Sequence, residues 1–141
     1  MEDVSRIRVR YAETDQMGVV YYSNYFIWME IGRTNLLRNK GLSYKKLEEE
    51  GYALPVLKAY AEYLKPAHYD EEIFIHSALT EMKGPKIKIE YRIFNENNTL
   101  LATGYTEHAF ISSKTGRVTR PPEAFIRLAK ELIGGSFEKK E

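Results

Sequence analysis

The sequence predicts an α+β fold in which a five-stranded antiparallel sheet curves around one long helix. Segment 23–40 has helical spacing and is apolar nearly all round in its first half, so it needs protein on most sides. Five other segments alternate polar and apolar residues with the period of a strand. The order runs strand, long helix, short helix, four strands, terminal helix, without the repeated strand–helix–strand unit of a parallel sheet.

The first strand is read over residues 6–11, where Ile7, Val9 and Tyr11 alternate with Arg6, Arg8 and Arg10. Residues 12–18 are polar, lack periodicity and end in a turn-forming Gly18. In the long helix, Phe26, Met29, Arg33, Leu36 and Leu37 keep the three-and-four spacing, and Tyr25, Ile27, Trp28 and Ile31 widen the apolar face. Gly32 costs about 1 kcal/mol relative to Ala inside a helix, which points to close approach of a neighbouring backbone. Glu30 and Arg33 are expected to pair across one turn. Arg38 and Lys40 suit the negative end of the helix dipole, Gly41 supplies the stop and Leu42 its apolar contact. Ser43 is placed to cap a short helix over 44–50, ended by Gly51. Strands follow over 54–63, 72–82, 86–93 and 100–112, with turn residues at Gly84-Pro85 and Glu96-Asn97-Asn98. Pro121 and Pro122 open a last helix with the stripe Phe125, Leu128, Ala129, Leu132 and Ile133, stopped by Gly134-Gly135. Without a repeat or linker, residues 1–141 read as a single domain, core about 5–133 with a frayed tail over 134–141.

Composition excludes several classes. Twenty-one Lys and Arg against twenty Asp and Glu leave +1, short of the basic excess a nucleic-acid binder needs. No apolar run approaches the roughly 20 residues that span a bilayer, and the start lacks the layout of a signal peptide. The expectation is a soluble, cytoplasmic protein. The absence of Cys excludes disulfides, a thiol nucleophile and cysteine metal sites. His68, His76 and His108 are scattered, which makes a poor metal set. There is no Gly-x-Ser-x-Gly elbow, and Lys83-Gly84-Pro85-Lys86 lacks the spacing of a phosphate loop.

The stretch Glu13-Thr14-Asp15-Gln16-Met17-Gly18-Val19-Val20-Tyr21-Tyr22-Ser23-Asn24-Tyr25-Phe26 carries chemistry. It sets a loop carboxylate, Asp15, a few residues ahead of a helix start whose amides lack intrahelical partners and bear roughly half a positive charge. Such amides can hold the oxygen of a carbonyl under attack. The first helical turn has no acid to neutralise them; the first inside the helix is Glu30. A structural reading fits the same residues: Asp15 in an Asx turn around Gln16 and Met17, with Ser23 or Asn24 as the helix cap.

These residues resemble the hotdog-fold acyl-CoA thioesterases of the 4-hydroxybenzoyl-CoA thioesterase and YbgC-like group. The resemblance runs through Arg8-Val9-Arg10-Tyr11, Glu13-Thr14-Asp15, Gly18-Val19-Val20-Tyr21, Asn24-Tyr25, Glu30 and Arg33. It continues through Leu64-Lys65-Pro66-Ala67 and Asp70-Glu71 and covers about residues 5–130. It implies a sheet wrapped around the long helix, and a homodimer as active unit with pockets at its interface, which can assemble into a homotetramer. It also implies that Asp15 attacks an acyl-CoA thioester or activates water, while the backbone N–H of Tyr22 polarises the thioester oxygen. Contacts to CoA are implied near Lys83, Gly84, Pro85 and Lys86, and no cofactor.

Many YbgC-like members carry His where this chain has Tyr22. A backbone donor survives that change, whereas an imidazole proton carrier would not. Tyr25 is a candidate for lining the acyl pocket, though its spacing also suits the core. Lys83 and Lys86 are candidates for the CoA phosphates, and equally for keeping a hairpin soluble. The alternative function is a CoA or acyl-carrier-protein binding module with little turnover. A hotdog dehydratase would need a catalytic His, and none lies near Asp15 in the sequence.

Overall fold

The computed structural model describes residues 2–134. Its elements are β1 (Glu2–Arg8), α1 (Asn24–Asn39), α2 (Tyr44–Glu49), β2 (Tyr52–Ala53), β3 (Val56–Tyr63), β4 (Glu72–Lys83), β5 (Lys86–Asn95), β6 (Leu100–Ala109), β7 (Ile111–Ser112) and α3 (Glu123–Gly134). Five strands form one antiparallel sheet in the order β1-β4-β5-β6-β3, and β2 pairs with β7 in a separate ribbon.

The period-two pattern of β5 explains its central place. Ile87, Ile89, Tyr91 and Ile93 point to one face and are at most 2% exposed, together with Ile73, Ile75 and Leu79 of β4. Against them α1 lays Trp28, Met29, Leu36 and Leu37, all fully buried. The sheet wraps the helix in the hotdog arrangement, an α+β fold. On α3 the predicted stripe holds, with Phe125, Ala129 and Leu132 buried. Of the stop expected at Gly134-Gly135, Gly134 is still the last residue of α3; Gly135 and the rest of the tail expected over 134–141 lie outside the described residues.

Helix α1 ends as its sequence requires. Gly41 takes a left-handed conformation (φ +85), its N–H donates to the Arg38 carbonyl, and the Leu42 N–H donates to that of Leu37. Ser43 caps α2 by accepting from the Lys46 N–H at 3.2 Å.

Four details differ from the sequence pattern. Strand β1 stops at Arg8, opposite Glu72, where β4 begins and Asp70 turns the chain at φ +69. Val9 stays buried by exchanging backbone bonds with Asp70 and Glu71, whereas Tyr11 enters a 3₁₀ turn, Tyr11–Glu13, and is 78% exposed. Of the segment read as one strand over 54–63, β3 takes only Val56 onward, after Pro55, because proline cannot donate to a ladder; the short β2 lies ahead of the predicted start. The long last strand is broken at Phe110, whose N–H donates to Pro85 and whose carbonyl accepts from Thr119, so β7 leaves the main sheet. Gly32 makes room for side chains: a Cβ there would meet Ser77 Oγ and, at 2.9 Å, Ile75 Cγ2.

One face of α1 remains open. Ile27 is 46% exposed and Glu30 is exposed, so the chain alone does not enclose the helix. The adjoining edge strand β3 also exposes Val56, Leu57, Tyr60 and Tyr63.

Candidate active site

Residues 13–21 fold into a small hairpin. Asp15 donates its N–H to the Val19 carbonyl (2.8 Å), Tyr21 donates to Glu13 (2.9 Å), and Gly18 (φ +77) makes the tight return that other residues resist. The second leg is fixed to the neighbouring segment, with the Val20 N–H on the Ala67 carbonyl and the Tyr69 N–H on that of Gly18. Asp15 lies near the tip and is exposed. Its Oδ1 accepts from the Met17 N–H (2.8 Å) and the Val19 N–H (3.2 Å), which is the Asx turn. Its second oxygen has no partner among the described residues.

Neither expected cap serves α1. Ser23 is itself helical and makes no side-chain cap bond. Asn24 uses its Nδ2 as a donor, to the carbonyls of Glu13 (3.0 Å) and Tyr21 (3.3 Å), which ties the helix start to the hairpin. The amides of Asn24, Tyr25 and Phe26 donate to the carbonyls three residues back. The amides of Tyr22 and Ser23 have no acceptor among the described residues, and the first turn of α1 contains no acid.

Tyr22 and Tyr25 meet in one cleft of about 270 Å³, lined also by Val19, Val20, Tyr63, Leu64, Lys65 and Pro66. Tyr25 is 3% exposed, so it serves core and cleft together, and burial raises its phenol above the usual range. Tyr63 binds the cleft wall from β3: its ring packs edge-on to Tyr25, and its hydroxyl donates to the Tyr22 carbonyl at 3.2 Å. Asp15 shares the hairpin with this wall without lining the cleft.

The residues expected to contact CoA fall on two sides of the β4–β5 turn. Lys83 and Lys86 line a shallow depression with Glu81, Lys88 and Glu107. Glu81 answers both Lys83 and Lys88 at 3.9 Å, while Lys86 has no ion-pair partner among the described residues. Gly84 and Pro85 instead border an apolar cleft of about 480 Å³ with Met82, Val118, Pro121 and Ile126. The structure does not bring either group into the cleft of Tyr22 and Tyr25.

The expected Glu30–Arg33 ion pair does not form among the described residues. Arg33 instead faces the phenols of Tyr44 and Tyr91, on the wall of a cavity of about 540 Å³. Burial pushes the Tyr44 phenol up to about 12 despite Arg33. Behind this wall runs a buried chain: Tyr91 hydroxyl to Thr106 Oγ1 (2.7 Å), Thr106 Oγ1 to His108 Nε2 (2.8 Å), and His108 Nδ1 to the Leu54 carbonyl (3.2 Å). The carbonyl can only accept, so Nδ1 carries the proton and Nε2 accepts from Thr106.

Burial, reinforced by Arg33, pushes the His108 imidazole down to about 4. Between the ordinary histidine value of about 6.5 and this one, the unfolded chain takes a proton that the folded chain refuses, so stability falls as pH drops through that window. The full difference is about 3 kcal/mol. Urea midpoints measured from pH 7 to 4.5 are therefore expected to fall less steeply in His108→Gln than in the wild-type protein; equal slopes would contradict the assignment.

Glu13 stands in the motif quoted above, where the sequence reading gave it no role. It is 4% exposed, and its carboxylate accepts from the Arg10 N–H (2.8 Å) and from the Trp28 indole N–H (3.2 Å). Arg10-x-x-Glu13 does not have the Ser or Thr of a usual capping box, and Trp28 lies fifteen residues on. The available signal was Trp28 itself, since a buried indole N–H requires an acceptor.

The profile of the thioesterase-like superfamily matches residues 9–128. The acyl-CoA thioester hydrolase YbgC of Escherichia coli O6:H1 is 39% identical over 95 residues, 67% of this chain and 71% of that protein. The crystal structure of a DHNA-CoA thioesterase from Staphylococcus aureus superposes with a TM-score of 0.87 at 30% identity, covering 95% of this chain and 91% of that one. A hypothetical protein from Thermus thermophilus gives a TM-score of 0.87 at 37% identity, over 94% of this chain and 98% of that chain. With the sheet wrapped on α1 and the match spanning the hairpin, α1, four of the five main-sheet strands (β3 to β6) and half of α3, the chain belongs to the thioesterase-like superfamily, among hotdog-fold proteins related to CoA-thioester hydrolases.

Proposed function

We propose that this protein hydrolyses an acyl-CoA thioester to a carboxylic acid and free CoA. The observation that carries the reading is the pair of amides at Tyr22 and Ser23 without an acceptor among the described residues, on the same hairpin-to-helix segment as a carboxylate with one oxygen uncommitted among them. In this reading the Tyr22 N–H donates to the thioester oxygen and stabilises the charge that develops on it. Asp15 acts in one of two ways. As base it takes a proton from water, whose oxygen bonds to the acyl carbon; the carbon–sulfur bond then breaks and the thiolate takes the proton back. As nucleophile it forms a mixed anhydride while the thiolate leaves, and water then cleaves the anhydride.

Tyr25 lines the acyl side, and Lys86 meets a CoA phosphate more readily than Lys83, which already faces Glu81. A second copy of the chain covers the open face of α1 and the apolar edge of β3, giving a homodimer as active unit and, with a further contact, a homotetramer. The relatives' activities, on acyl-CoA and DHNA-CoA thioesters, favour an enzyme over a passive CoA or acyl-carrier-protein binder.

The test is thiol release from a panel of aryl, short-chain and long-chain acyl-CoA and acyl-carrier-protein thioesters. Turnover on at least one CoA ester is expected. Tight CoA binding with no release above background would favour the binding module, and release from carrier-protein esters alone would reassign the substrate.

A further inference from the structure

We propose that Glu13 is a positioning residue that holds the Asp15 turn and the Tyr22 amide in a fixed relation, a role that rests on the function proposed above. Five donor groups converge on this one residue. The carboxylate takes the Arg10 N–H, the Arg10 guanidinium (3.4 Å) and the Trp28 indole N–H. The backbone carbonyl takes the Tyr21 N–H and the Asn24 amide. These donors come from the residue that opens the 3₁₀ turn, from the residue before Tyr22, from the first residue of α1 and from one turn inside α1. Asp15 follows two residues later. A shift of Glu13 therefore moves both halves of the site relative to each other.

Placing a carboxylate here is costly, because a buried charge loses its hydration. Its one ion-pair partner among the described residues, Arg10, has a side chain 70% exposed and meets Glu13 at 3.4 Å, so it offsets little. The neutral donors compensate, and they do so only for an acceptor with two oxygens. Gln presents one oxygen and one NH2 group, and the NH2 would face the Arg10 N–H or the indole N–H, donor against donor. Asp is one methylene shorter and cannot span from the 3₁₀ turn to Trp28 in the same pose.

The test compares Glu13→Gln with the wild-type protein by three measurements. Trp28 is the only tryptophan, so its emission reports directly on the bond to Glu13. Amide hydrogen exchange at Tyr21 reports on the hairpin, and steady-state kinetics on the best thioester report on the site. The expected result is shifted Trp28 emission, faster Tyr21 exchange, and kcat lowered about 10- to 100-fold with KM within about twofold, as small misplacements of a reacting group produce. Leu132→Ala, a core substitution in α3, supplies the control: it lowers Tm but leaves kcat unchanged. Should Glu13→Gln fail to fold, Asn24→Ala removes one donor to the same carbonyl and is expected to lower kcat about 3- to 10-fold. Unchanged kcat in a folded Glu13→Gln, or an equal loss in Leu132→Ala, overturns the proposal. If the wild-type protein releases no thiol from any ester, the proposed function fails, and Glu13 is then a structural latch judged by emission and exchange alone.

Discussion

Replacing Asp15 by Asn is expected to lower kcat about 10²- to 10⁴-fold, the range lost with a positioned base or nucleophile, while the protein keeps its fold and its affinity for CoA. Asn separates two roles that Ala would confound. The turn uses only Oδ1, which accepts from Met17 and Val19, and an Asn side chain offers the same oxygen to the same amides. If Asp15 serves the turn alone, Asn is nearly silent. If its second oxygen takes a proton or attacks the acyl carbon, Asn removes the charge and the chemistry stops. The decisive comparison is single-turnover thioester hydrolysis beside a thermal melt. A variant that melts like the wild-type protein and turns over at the wild-type rate would remove Asp15 from the mechanism.

Gly104→Ala is expected to destabilise the protein by about 2–3 kcal/mol, within the range for overpacking. The sign alone is informative, since Ala within a strand ordinarily improves on Gly by roughly 0.5–1 kcal/mol. Gly104 lies on β6 between Ala61 of β3 and Tyr91 of β5. A Cβ there would run into the Met29 methyl and the Tyr60 carbonyl oxygen, with the Ala61 Cα at 3.4 Å. A methionine can turn aside; a backbone carbonyl moves only with its strand. That strand carries Tyr63, which packs on Tyr25 and donates to Tyr22, so the substitution is expected to raise KM as well. Gly32→Ala should cost less, because its Cβ meets only side chains and Ala gains about 1 kcal/mol in helix propensity. Urea unfolding of both variants checks the order, and a Gly104→Ala protein as stable as wild type would refute it.

The fold was legible where local pattern and tertiary environment agree. The alternation of β5 and the stripe of α3 both survive folding, because a buried face imposes its own period. The pattern misled where one residue ended an element. Tyr11 continues the alternation of β1 on paper, but the partner strand is absent at that level. Pro55 delays the start of β3 because it has no N–H to give, and Phe110 divides an apparent strand because its backbone pairs with Pro85 and Thr119.

At the site, the sequence pointed to Asp15 and to an uncapped helix start. It assigned capping to Ser23 or Asn24, while Asn24 donates to Glu13. It paired Glu30 with Arg33 by spacing, while burial turned Arg33 to two phenols from α2 and β5. Contacts of that reach leave no trace in a window of a few residues. The apolar reading of α1 as needing protein on most sides asks for more than one chain supplies, since Ile27 stays open.

The strand order also governs what the growing polypeptide meets on the ribosome. Strand β1 pairs with β4 and β3 pairs with β6, so each must wait for a partner that emerges much later. The β4-β5-β6 meander closes through two short turns, and it can assemble as soon as it leaves the exit tunnel. Until then α1 and β3 travel as greasy, unsheltered segments in the nascent chain, which makes the interval before the meander closes the one of greatest dependence on chaperones.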